Sequence, residues 1–229
     1  MIVIDFSVRS LLVRFPLIKP NTSEMYIKQI FLFLLVAFFS SCNPNSGNPS
    51  KEQYIESVQK KEFEKHDELY SNAGKLIGEF DFNVKATEEQ KKDWEDGKIP
   101  WISLEHPVPE INQLINADEL VIKKPQINIV FDYPLNKPAT FEFRNDKGFS
   151  RRDLVLLISE KYHEIYKEEE LTSDVKTIPL EKRTGIINRN ETQGKYGIWG
   201  HDLADLVLSG AEVHETSGGK INIILLIES

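Results

Sequence analysis

Gln126-Ile127-Asn128-Ile129-Val130-Phe131, the turn Pro134-Leu135-Asn136-Lys137-Pro138 and Thr140-Phe141-Glu142-Phe143-Arg144 form the stretch that decides the fold. Ile127, Ile129 and Phe131 alternate with Gln126, Asn128 and Val130, and Phe141 and Phe143 alternate with Thr140, Glu142 and Arg144. A period of two sets one group of side chains on each face of a strand, so two half-buried strands joined by a proline-bearing turn predict a hairpin. Directly afterwards Ser150-Arg151-Arg152-Asp153 is a helix-start signal, and Leu154, Leu157, Ile158, Lys161, Tyr162 and Ile165 recur at helical spacing, flanked by Glu160, Glu164 and Lys167. This helix is expected to lie across the apolar face of the hairpin.

Toward the C-terminus, Glu168-Glu169-Glu170 reads as a solvated acidic end to that helix, and 171–193 has no clear period, a long connection that is either mobile or functional. Leu206-Val207-Leu208, continuing to about His214, then Thr216-Ser217-Gly218-Gly219 and Ile221 to Ile227, predict a second hairpin with a glycine turn. Hairpin, helix, hairpin gives an α+β class: an antiparallel sheet built from two hairpins with helices packed on one face. Toward the N-terminus, Leu76 to Val84 reads as a strand and the box Thr87-Glu88-Glu89-Gln90 as the start of a short helix anchored by Trp94 and ended by Gly97. Pro100, Pro107 and Pro109 then favour an extended crossover. The domain is assigned to 76–229, and 51–75 to a charged helix capped by Ser50-Lys51-Glu52-Gln53 with a thin stripe of Tyr54, Ile55, Val58, Leu69 and Tyr70.

Upstream of that helix the sequence changes character. Met25-Tyr26-Ile27-Lys28-Gln29 carries a positive charge, the uninterrupted apolar run Ile30 to Phe39 comes next, and Ser40-Ser41 lead to Cys42, the one cysteine of the chain. This is the order of a secretory signal. Ten apolar residues fall short of the roughly 20 that a membrane-crossing helix needs. Phe39-Ser40-Ser41-Cys42 resembles the lipobox of bacterial lipoproteins, with Phe39 where that pattern most often has Leu. The resemblance implies diacylglycerol on the Cys42 sulfur, cleavage before it and acylation of the new amino terminus. Residues 25–41 are then a signal peptide, 42–50 a lipidated cysteine with a flexible tether rich in Asn, Pro, Ser and Gly, and 1–24, broken by Asp5, Arg9, Arg14 and Lys19, an over-extended start. Asn43 in place of the Asp that retains some such proteins at the inner membrane points to the outer one.

Charge narrows the partners. The whole chain is net −8, and the residues expected to be removed carry Arg9, Arg14, Lys19 and Lys28 against Asp5 and Glu24, so the mature chain is more acidic still. Nucleic-acid affinity comes largely from Lys and Arg neutralising phosphates, which argues against that class, and an acidic surface leaves lipid on Cys42 as the link to the membrane. A single cysteine excludes an intramolecular disulfide.

No phosphate loop, zinc-helix motif or nucleophile elbow occurs, and no cofactor is implied. The densest constellation is Gly194-Lys195-Tyr196-Gly197-Ile198-Trp199-Gly200-His201-Asp202-Leu203-Ala204-Asp205. Tyr196 and Trp199 offer stacking faces, His201 a base, and Asp202 and Asp205, three apart on a helical turn, two carboxylates that could share a cation or a water. The same residues serve a structural account: glycines in turns, Trp199 in the core, Asp202 capping a turn. Asn188, Arg189, Asn190 and Thr192 add polar groups suited to a small ligand. The segment from about Asp132 to Ser229 is also similar to a domain with no assigned activity, Tyr196 to Asp202 being its most distinctive run. The expected function is a lipid-anchored envelope binding or assembly module without catalysis. The alternative is a hydrolase, metal-assisted or not, using His201, Asp202 and Asp205.

Overall fold

In the computed structural model the described residues are Asn72–Ser229, apart from Glu95 and 185–187, together with Glu56 and Lys60. The signal segment, Cys42 and the tether therefore lie outside the described residues. Of the charged helix expected over 51–75, Glu56, Lys60, Asn72 and Ala73 are described and are helical, and strand begins at Lys75.

The class is α+β. Among the described residues, ten strands, β1 (Lys75–Asp81), β2 (Val84–Lys85), β3 (Lys98–Ile99), β4 (Ile102–Ser103), β5 (Leu120–Ile122), β6 (Gln126–Phe131), β7 (Ala139–Arg144), β8 (Phe149–Ser150), β9 (Val207–Glu215) and β10 (Ile221–Glu228), accompany the long helix α1 (Arg151–Thr172). The main sheet runs β1-β9-β10-β6-β7, with β4 also pairing β9. Alternation in β6 and β7 gives the register Ile127 opposite Phe143 and Ile129 opposite Phe141. Ser150 starts α1 as a capping box with Asp153: Asp153 N–H donates to Ser150 Oγ at 3.2 Å and Ser150 N–H to Asp153 Oδ2 at 2.9 Å.

The expected antiparallel sheet is corrected at one seam. β9 and β10 are antiparallel, as are β6 and β7, but β10 pairs with β6 in parallel, Ile223 opposite Ile129. The cause is the length of α1. Twenty-two residues at about 1.5 Å rise each outreach a six-residue strand at about 3.3 Å each, so the helix carries the chain back past the end at which β7 began. The next strand then points the same way as β7, and the second hairpin enters beside the first as a crossover connection requires.

The core lies between this sheet and α1. Leu154, Val155, Ile158, Tyr162 and Ile165 are fully buried against a cluster that includes Ile127, Ile129, Phe131, Ala211, Val213, Ile223 and Leu225. Tyr162 stands edge-on to Phe131 at 5.1 Å and donates its hydroxyl hydrogen to the Tyr133 carbonyl at 2.8 Å.

A second difference concerns the helix expected from Thr87 to Gly97. The box forms, with Thr87 N–H donating to Gln90 Oε1 at 3.0 Å, but it opens onto a single 3-10 turn, Gln90–Lys92, with no buried residue. The apolar anchor, Trp94, packs edge-on to Trp101 at 5.1 Å. One anchor in a run of Lys, Glu, Asp and Gln cannot support further turns, since short helices draw their stability from an apolar face.

Candidate functional site

The constellation Gly194 to Asp205 is built around the acidic end of α1. Glu169 is fully buried, and its carboxylate accepts three backbone N–H bonds, from Gly194 at 2.7 Å to one oxygen, and from Tyr196 at 2.7 Å and Gly197 at 3.0 Å to the other. Burial pushes its pKa up, but the Thr192 hydroxyl and these three amides outweigh burial and hold it below the ordinary glutamate value. Gly194 is dictated by this approach: a Cβ there would come within 2.8 Å of both the Glu169 carbonyl oxygen and one carboxylate oxygen. Glu168 accepts from Lys195 Nζ at 2.7 Å and from the Tyr196 hydroxyl, and these bonds lower its pKa. Glu170 accepts from Thr177 N–H at 3.3 Å and Thr177 Oγ1 at 2.8 Å. The acidic run expected to be solvated is thus a clamp.

On its other side the segment joins the turn between β6 and β7. Asn136 N–H donates to the Gly197 carbonyl at 2.8 Å, Lys137 N–H to that of Tyr196 at 2.8 Å, and Trp199 N–H to that of Pro134 at 3.2 Å. Tyr196 and Trp199 are each about 3% exposed, so their rings are packing surfaces and offer no open stacking platform.

Asp202 stands at the N-cap of the turn Leu203–Asp205, and its N–H donates to Asp205 Oδ2 at 2.8 Å. Its carboxylate is engaged elsewhere, accepting from both Nη atoms of Arg183 at 2.6 and 3.0 Å in a two-pronged fork. The Arg183 side chain is 6% exposed and that of Arg189 4%, the latter 4.0 Å from the same carboxylate and over the ring of Tyr166. The Tyr166 hydroxyl donates to the His201 carbonyl at 3.0 Å, and burial pushes its pKa upward.

His201 is half-buried beside Tyr133, at 5.5 Å between ring centres, and Trp199, at 6.1 Å, with its Nε2 3.5 Å from Ser229 Oγ. Of the two carboxylates near it in sequence, Asp202 gives both oxygens to Arg183, while the exposed Asp205 accepts the Asp202 N–H through Oδ2. Among the described residues no group of three His, Cys, Asp or Glu is placed to hold a metal ion. Of the polar residues expected to suit a ligand, Asn190 bridges within its own loop, accepting from Ile178 N–H at 2.7 Å and donating to the Lys176 carbonyl at 3.2 Å, and Thr192 is fully buried.

Sequence reasoning missed Glu169, Arg183, Tyr133 and Tyr166. For Glu169 a signal existed: it extends the buried series Leu154, Ile158, Tyr162, Ile165 by four residues, onto the same helix face. Arg183 carried none, because its partner is 19 residues away.

A groove of about 630 Å³ lies elsewhere, between the proline-bearing crossover and α1, lined among others by Pro107, Val108, Leu156, Ser159 and His163. Ser159 Oγ donates to the Leu104 carbonyl at 2.6 Å and His163 Nε2 lies 2.9 Å from the Glu105 carbonyl, so α1 is tied to the crossover. Val108 is 66% and Leu156 42% exposed.

No protein-family model, no curated protein and no solved structure matches the chain.

Two outcomes are expected. Glu169→Gln turns one acceptor toward the amides into a donor and should cost about 2–4 kcal/mol in a urea melt. Because the Glu168 and Glu169 pKa values are lowered by folding, their contribution is complete above the free value of about 4.3 and is lost as pH falls through the lowered folded values. The acid limb of the stability profile should therefore flatten in Glu169→Gln. Asp202→Asn, silent if Asp202 were only a cap, should cost about 1.5–3 kcal/mol because it leaves Arg183 with half a fork. A double-mutant cycle with Arg183→Gln measures this, and a coupling energy near zero would refute it.

Proposed function

We propose that this chain is a lipid-anchored protein of the bacterial cell envelope, held through Cys42 and more suited to the outer than the inner membrane, whose domain is a non-catalytic binding or assembly module. The order Lys28, Ile30 to Phe39, Ser40-Ser41-Cys42 supports the anchor. Among the described residues no helix is long and apolar enough to cross a membrane.

The observation that carries the non-catalytic reading is the Arg183 fork on Asp202. A hydrolase using His201, Asp202 and Asp205 needs a carboxylate available to orient the imidazole, a water or a cation. Asp202 spends both oxygens on Arg183, and Asp205 accepts the Asp202 N–H. The groove offers a binding module what it needs: Val108 and Leu156 are exposed between walls joined by backbone-directed bonds, and Glu105 and Glu160 also line it.

Two measurements test the proposal. Intact mass of protein from the membrane fraction should show a chain beginning at Cys42 with acyl groups attached. Cys42→Ala should lose that mass and the membrane, since lipid supplies about 0.8 kcal/mol per buried methylene and the acidic surface does not replace it. A Cys42→Ala protein that keeps the processed mass and stays membrane-bound would refute the anchor. A photo-crosslinking residue at Val108 in living cells should give discrete adducts that Leu156→Asp abolishes, and their absence would remove the groove as the binding surface.

A further inference from the structure

The main sheet has two faces, and α1 covers one of them, where Ile129, Val213, Ile223 and Leu225 join the core cluster. The opposite face carries the alternate residues of the same strands: Asn128 and Val130 of β6, Asn222 and Ile224 of β10, Glu212 and His214 of β9. This second face is not open. Ile224 is 2% exposed, His214 4% and Val130 9%, although neither Ile224 nor Val130 belongs to the cluster under α1. The chain entering the domain lies over the same face. Asn222 Nδ2 donates to the Ala73 carbonyl at 2.8 Å, and His214 Nδ1 lies 3.3 Å from the Gly74 carbonyl. Asn72 and Ala73 are helical, and Gly74, at a φ of 109°, ends that helix and turns the chain into β1.

We infer that this second face is the docking surface of the chain's own segment 51–71, so that the sheet lies between two helices and the domain begins at the end of the tether rather than at Leu76. Glu56 and Lys60 are helical, exposed and four residues apart, which marks the outer side of the segment. At about 100° per residue the side opposite them carries Ile55, Val58, Glu62, Lys65, Leu69 and Ala73, at intervals of three and four. Ala73, the member of that series among the described residues, is buried. It sits above Asn222, and Ile224 and Val130 stand two residues beyond Asn222 and Asn128, about 7 Å along their strands and within reach of a helix that ends there. Charge fits as well. Glu79 and Glu212 stand directly opposite each other on β1 and β9, an arrangement that like charges destabilise, and Lys65 lies on the inward side of the segment with Lys61 beside it. Ile224 and Val130 are shielded within a single chain, which selects the chain's own segment over a second copy or a foreign partner. One compact unit accordingly spans Ser50–Ser229. This docking does not depend on lipid at Cys42. With that lipid, the nine residues 42–50 are all the free chain between anchor and domain, a reach of about 30 Å, which keeps the groove beside α1 near the bilayer.

Crosslinking and urea melts on the full chain test the docking. A benzoylphenylalanine in place of Lys65, irradiated in dilute purified protein, should give an adduct with the mass of one chain, and fragmentation should place it on peptides carrying 126–130, 212–214 or 222–226. No adduct, an adduct with the mass of two chains, or one mapped to α1 would overturn the docking. Val58→Asp and Leu69→Asp should each lower the folding equilibrium constant roughly tenfold or more, whereas Lys60→Asp, with the same helix-disfavouring side chain on the outer side, should lower it less than about threefold. Where the aspartates at 58 and 69 abolish folding and the one at 60 does not, Val58→Ala, Leu69→Ala and Lys60→Ala give the same comparison at smaller size. Equal losses at 58, 60 and 69 would overturn the docking, because they would report helix propensity alone. Each readout is independent of acylation, so a failed anchor at Cys42 would leave this result standing.

Discussion

The structure depends on a carboxylate placed where a carboxylate should not be. Glu169 occupies the last buried position of α1, and an ion in such a place costs several kcal/mol unless its oxygens are filled. Three amides fill them. Position adds to the cost, because Glu168, Glu169 and Glu170 crowd the C-terminal end of a helix, whose macrodipole disfavours negative charge there, and no basic residue of the last turn relieves it. Relief comes from outside the helix: Lys195 and Tyr196 for Glu168, the Gly194, Tyr196 and Gly197 amides for Glu169, Thr177 for Glu170. Since Tyr196 and Gly197 are bonded through their carbonyls to the turn between β6 and β7, this one side chain ties the end of the helix to the first hairpin at the rim of the apolar core.

How much of this was legible depends on the range of the interactions. Ser150, the stripe of α1, the alternation in β6 and β7 and the glycine turn before β10 are local, and local patterns read directly. The parallel pairing of β10 with β6 is not local, yet it left a trace: Ile223-Ile224-Leu225-Leu226-Ile227 is continuous where a strand solvated on one face would alternate, the mark of a strand placed centrally in a sheet. The same trace marks Glu169, whose helical phase places it inside while its chemistry reads as outside. Composition had suggested a solvated run, and phase was the better guide.

The candidate site shows the complementary limit. Clustering of His201, Asp202 and Asp205 in sequence produces clustering in space, but says nothing about what each carboxylate is bonded to. That is decided by Arg183 and Arg189, which arrive from a connection without periodicity and compete for one carboxylate. A buried arginine needs an anion more urgently than a half-exposed aspartate needs a role in catalysis, because desolvating a guanidinium without a partner is the costlier error. Asp202 is therefore explained by the arginine it neutralises.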